Sequence, residues 1–224
     1  MNIFRRLFGT RESRDMKRLF DETRANVKST YGPILNVGQA IVLAMDSTQQ
    51  DLAPVLGISS QSVPSEQQIE LCYELLYFYS HLTLRHAVAG GLSEPQISKL
   101  QGYFIPHVAF VAVNAFFSQQ PEDKKKKIES SFISDLNSAE IEYSQCNAVW
   151  SEEAPFNPTT IFGRLAKTVA TLWNRPSDLI LMTSVTFATM KAYRTMQLDN
   201  KIKEVASVIN LVDEGRSEMW GSIE

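Results

Sequence analysis

Apolar residues return every three or four positions along most of this chain, while the alternation of Val, Ile and Thr that marks a sheet is missing. The pattern predicts an all-α protein. It reads as one domain across residues 1–224, a helical bundle of about seven to eight helices, with 1–10 and 216–224 expected to fray. The clearest element lies at 65–91. Ser65, with Gln68 three places on, makes a capping box, and Gly90-Gly91 offers the left-handed conformation that ends a helix without steric cost. Between these signals the helix 66–89 is apolar around most of its circumference, through Leu71, Leu75, Leu76, Phe78, Tyr79 and Leu82. A helix of that kind is buried on most sides, which makes it the predicted centre of the bundle.

One line on this helix departs from the pattern. Glu70, Glu74, Tyr77, His81 and Arg85 fall within about 80° on a helical wheel. The line is either the helix's one wet face or a polar seam inside the protein, and periodicity alone does not choose between them.

Breakers and caps mark the remaining elements. Residues 1–28 mix apolar and basic side chains, and Gly9-Thr10 divides a short head from a longer helix. Gly32-Pro33 reads as a break, with Pro33 opening a short apolar helix over 34–45. Residues 46–64 hold two prolines and a lone Gly57, and read as a long loop or a short turn of helix. Ser93, Pro95 and Gln96 start a helix that reaches about 118 with Pro106 inside it. Pro121 starts the next, whose apolar line is Ile128, Phe132, Leu136, Ala139, Tyr143, Cys146 and Trp150. Helices over 159–173 and from Ser177-Asp178 to 197 follow. Asp199-Asn200 signals a turn, and Ile202, Val205, Ile209 and Val212 line a last short helix.

Charge narrows the classes of function. A net charge of −3 and a pI near 5.7 argue against nucleic-acid binding of the basic kind. The charge is uneven: residues 1–28 carry eight Lys/Arg against four Asp/Glu, and the rest of the chain carries 14 against 21. The opening residues, MNIFRRLFG, have no apolar core of the secretory kind, and the apolar runs at 104–117 and 179–190 fall short of the roughly 18–20 residues that span a bilayer. Cys72 and Cys146 sit at positions suited to packing, so a reduced, cytoplasmic setting is expected.

The candidate chemistry gathers on the polar line. The loop after Gly90-Gly91 is short, so the next helix should fold back antiparallel. Reflection about Gly91 sets Glu74 opposite His107, Glu70 opposite Asn114 and His81 opposite Tyr103. Glu70, Glu74, Tyr77, His81, His107 and Asn114 are therefore the candidate ligand-binding residues, with a Glu74–His107 pair at their centre. No catalytic residue is assigned: the chain has no GxSxG elbow, no GxxxxGK[ST] loop and no GxGxxG turn. No metal or cofactor is assigned either, because no histidine follows Glu74, Glu140 or Glu142 at the Glu-x-x-His spacing of di-iron bundles.

The leading expectation is a soluble cytoplasmic helical protein that acts by binding another macromolecule, with a protein as the expected partner. Its candidate contact residues are Arg5 and Arg6 in the basic head, and Lys124, Lys125, Lys126 and Lys127 at the start of a helix. A small-ligand or metal-binding bundle, enzymatic or not, that uses the Glu/His seam is the second class. Peripheral attachment to an anionic membrane through the basic N-terminal helix is the third.

Overall fold

The computed structural model describes residues 11–58, 65–117 and 120–211, with side chains described from 31 onward except at 115 and 116. Among them are seven α-helices: α1 (Arg11–Leu56), α2 (Glu66–Ala89), α3 (Glu94–Phe116), α4 (Glu122–Ser144), α5 (Ile161–Leu172), α6 (Leu179–Met196) and α7 (Leu198–Val208). A 3-10 turn, Ile209–Leu211, follows α7. The described residues hold no strand, only one isolated bridge between Ala148 and Thr160. The fold is all-α, and none of its described helices is long and apolar enough to cross a membrane.

The largest departure from the sequence reading is α1. It runs for 46 residues without a break, through Gly32-Pro33 and on through most of the stretch expected to be a loop or a short turn of helix. Two prolines, Pro33 and Pro54, lie inside it, and each internal proline costs a helix about 3 kcal/mol through the lost backbone bond and the clash with the preceding turn. Set against that cost, Ile34, Val37, Ile41, Met45 and Leu52 are fully buried along one side of the helix. Each such side chain contributes roughly 1.5–3 kcal/mol. The packing term wins, and the helix ends only at Gly57, whose φ of +66° suits glycine.

Helix α2 has the bounds its caps imply. Ser65 accepts from the Gln68 amide while the Gln68 side chain accepts from the Ser65 amide, and Gly91 adopts φ +83° after the last turn. Tyr79, fully buried, ties three helices together. Its hydroxyl lies 2.5 Å from Thr48 Oγ1 on α1 and 3.4 Å from the Thr189 carbonyl on α6. The caps of α3 and α6 also follow the expected residues: Ser93 with Gln96, and Asp178 accepting from the Leu181 amide. Helix α5 is capped by Thr160.

Two smaller expectations change. Cys146 falls just beyond α4, not inside it, although it is buried. The turn before α7 is made by Gln197, in the left-handed region at φ 51°, whereas Asp199 and Asn200 lie within the helix.

Neighbouring contacts give the helix directions. Tyr31 meets Tyr103, and Gly38 lies against His107 and Val108, so α1 and α3 climb together. Asp51 pairs with Lys191, while Asn36 and Ala40 share a groove with Thr195 and Met196, so α1 and α6 run opposite ways. The free carbonyls at the end of α1 are met by side chains from beyond α5. Trp173 Nε1 donates to Leu56 and Arg175 Nη1 donates to Val55.

Candidate functional site

The polar line of α2 runs from solvent into the interior. Glu70 is exposed, Glu74 half-buried, Tyr77 and His81 buried, and Arg85 half-buried. What covers it is α4 and α5, not α3. Phe132 of α4 stacks on Tyr77 with ring centres 5.2 Å apart, and it also meets Tyr73 at 5.7 Å. Farther along, His81 stacks on Tyr143 at 5.5 Å, and its Nδ1 lies 3.0 Å from Glu140 Oε2. From α5, Arg164 Nη1 reaches Glu142 Oε2 at 3.4 Å.

Between these three helices lies a cavity of about 280 Å³. Glu74 and Tyr77 line it from α2, Asp135, Glu142 and Tyr143 from α4, and Arg164 and Thr168 from α5. The space is several times that of one water molecule, roughly 30 Å³ in the liquid. A larger groove of about 440 Å³ between α1, α6 and α7 has Lys201 as its charged wall residue and lacks this concentration of acids.

The electrostatics of the cavity are unusual. Burial is the main reason that the Glu74 carboxyl is pushed up to about 7, and the nearby Glu142 and Glu70 carboxylates add to it. Burial likewise raises the phenols of Tyr77 and Tyr143, and Tyr143 also feels Glu74, Glu142 and Arg164. Several buried polar atoms around the seam have no hydrogen-bond partner among the described residues: Tyr143 Oη, Arg164 Nε, His81 Nε2, Glu140 Oε1 and Arg85 Nη1. Each buried group left unsatisfied costs about 1–3 kcal/mol. Their concentration at one interface marks a network that the described side chains leave incomplete.

The other sequence candidates lie elsewhere. His107 turns towards α1, where its Cδ2 would come within 2.8 Å of a Cβ at position 38, and burial lowers its pKa. No hydrogen bond joins it to Glu74. Asn114 is exposed, its amide donating to the Phe110 carbonyl of its own helix. The reflection about Gly91 therefore picked the wrong partner helix: a short loop makes α2 and α3 antiparallel but does not decide which face of α2 meets α3. The residues it missed are Asp135, Glu140, Glu142 and Tyr143 on α4, and Arg164 on α5. Asp135, Ser138 and Glu142 share a face of α4 at spacings of three and four, which was the available signal.

At the N-terminal end of α4, Lys124, Lys126 and Lys127 are exposed, while Lys125 Nζ lies 2.7 Å from Glu122. Arg5 and Arg6, and with them the membrane-surface reading, lie outside the described residues. Among the described residues no group of three His, Cys, Asp or Glu is placed to hold a metal ion. One further polar chain went unforeseen. His86 Nδ1 lies 2.9 Å from Asp199, and its Nε2 bonds the Tyr193 hydroxyl, so the end of α2 is tied to α6 and α7.

No protein family, curated protein or solved structure matches this chain.

Proposed function

We propose that this protein binds a small molecule in the cavity between α2, α4 and α5. The reading rests on Tyr143, a buried side chain on the cavity wall whose hydroxyl has no hydrogen-bond partner among the described residues. Buried polar groups in folded proteins are nearly always paired, so an unpaired hydroxyl on a cavity wall is a group that a bound molecule can satisfy. The test is a thermal-shift screen of small polar compounds against the wild-type chain and against Thr168→Phe, which fills the cavity from α5. A ligand at about 100 times its Kd adds about 2.7 kcal/mol. In a chain of this size that raises Tm by roughly 5–10 °C. A genuine site loses the shift in Thr168→Phe. If no compound stabilises the wild type, or Thr168→Phe responds equally, the reading falls.

A second reading, binding of a protein partner, is favoured by the outer side of α6. Leu179, Ile180 and Phe187 are there 62%, 75% and 69% exposed, and Ile180 and Phe187 lie two turns apart on one face. The lysines at the start of α4 belong to the same reading. Phe187→Asp should abolish capture of a partner from the native cell; unchanged capture would end it. A cytoplasmic setting fits both readings, since Cys72 and Cys146 are buried free thiols.

A further inference from the structure

The cavity wall has a definite chemistry. Three carboxylates, from Glu74, Asp135 and Glu142, face one guanidinium, Arg164, and that guanidinium already leans on Glu142 at 3.4 Å. Negative charge is therefore in excess along a cleft in which Glu74 is half-buried and Asp135 and Glu142 are exposed, and such charge attracts a cation. The carboxylates do not converge on one point as ligands of a metal ion. They are spread around a space large enough for a short carbon chain. Tyr77 adds an aromatic wall, and the unpaired Tyr143 hydroxyl adds an acceptor for an N–H.

We propose that the ligand of this cavity is a short aliphatic amine in its ammonium form, held by Glu74, Asp135 and Glu142 with one N–H donated to the Tyr143 hydroxyl. The proposal rests on the small-ligand reading above and names its ligand class. Binding is coupled to a proton. Glu74 is repelled by Glu70 on its own helix and by Glu142 on α4, with Asp135 and Tyr143 also facing the cavity from α4 and Arg164 from α5. An arriving ammonium offsets that repulsion, so Glu74 gives up its proton as the amine enters. With a carboxyl at about 7, affinity is nearly full at pH 8. It falls by up to about 100-fold at pH 5, where Glu74 must first be deprotonated.

Three probes of matched length carry the test: 1,4-diaminobutane, 1,4-butanediol and succinate, titrated calorimetrically into the full chain at pH 8 and pH 5. The diamine is expected to bind, more tightly at pH 8, while the diol and succinate do not. Glu74→Gln should weaken the diamine at least 10-fold and abolish its pH dependence. Tyr143→Phe should weaken it by about 3–10-fold, with folding of both variants checked by circular dichroism. Succinate or the diol binding in place of the diamine would overturn the ammonium assignment and leave the small-ligand reading standing. Diamine binding that is indifferent to pH and to Glu74→Gln would likewise overturn it. If none of the three binds, the assignment fails, and the thermal-shift screen then decides the broader reading separately.

Discussion

Replacing Glu74 by glutamine keeps the shape of the side chain and removes its charge, so the variant isolates one electrostatic quantity. In the folded protein the Glu74 carboxyl is raised from the ordinary 4.5 to about 7, first by burial and then by Glu142 and Glu70. A carboxyl whose folded pKa lies above its unfolded value holds its proton more tightly in the native state. The native state is therefore favoured most at low pH, and that advantage is lost as pH rises from about 4.5 through about 7. At about 1.4 kcal/mol per pH unit the gap corresponds to about 3 kcal/mol. Glu74 keeps some contact with solvent, which screens the interaction and brings the expectation to roughly 1–3 kcal/mol. Urea unfolding of the wild type and Glu74→Gln at several pH values checks this, because contributions from other groups cancel in the difference. The variant should gain about 1–3 kcal/mol on the wild type between pH 4 and pH 8, with the change centred between 5 and 7. A difference that stays flat with pH, or a variant that loses ground at pH 8, would refute the argument. Glu142→Gln supplies the second check: with less repulsion, Glu74 ionises at lower pH and the effect shrinks. The same substitution is expected to weaken amine binding, so this carboxylate would trade stability for a binding role.

Three further outcomes follow from the packing. Phe132→Ala removes a side chain 1% exposed that stacks on Tyr77 and meets Tyr73 at a tilt; it should cost about 3–5 kcal/mol in denaturant unfolding. Thr48 gives its hydroxyl proton to the Ala44 carbonyl, so Tyr79→Phe should cost only about 1 kcal/mol, whereas Thr48→Val leaves the buried phenol only its longer bond to the Thr189 carbonyl and should cost about 1–3. The double variant should cost less than the two single losses together, which a double-mutant cycle measures. Gly163→Ala would set a Cβ 2.2 Å from the Asn157 carbonyl oxygen, backbone that has nowhere to go, and should lower Tm by several degrees; an unchanged Tm would show that the 157–163 turn is softer than its geometry implies.

Local signals in the chain determined those features whose physics is local. The bounds of α2 follow from Ser65, Gln68 and the glycine pair, because a capping box and a left-handed residue act within a few positions. The all-α class follows from a 3.6-residue period that no strand can use. Packing decided the rest. Gly32-Pro33 is a breaker by local rules, yet α1 continues, because its buried row from Ile34 to Leu52 outweighs the two prolines inside it, Pro33 and Pro54. The polar line of α2 was legible as a line, but its partners were not. Its periodicity shows that the face is polar and is silent about which helix covers it. Only the folded chain brings Asp135, Glu142, Tyr143 and Arg164, more than 50 positions away in the sequence, against Glu74 and Tyr77. The candidate site therefore depends on tertiary contact, since the groups that give it charge, enclosure and an unpaired hydroxyl lie on helices that share no loop with α2.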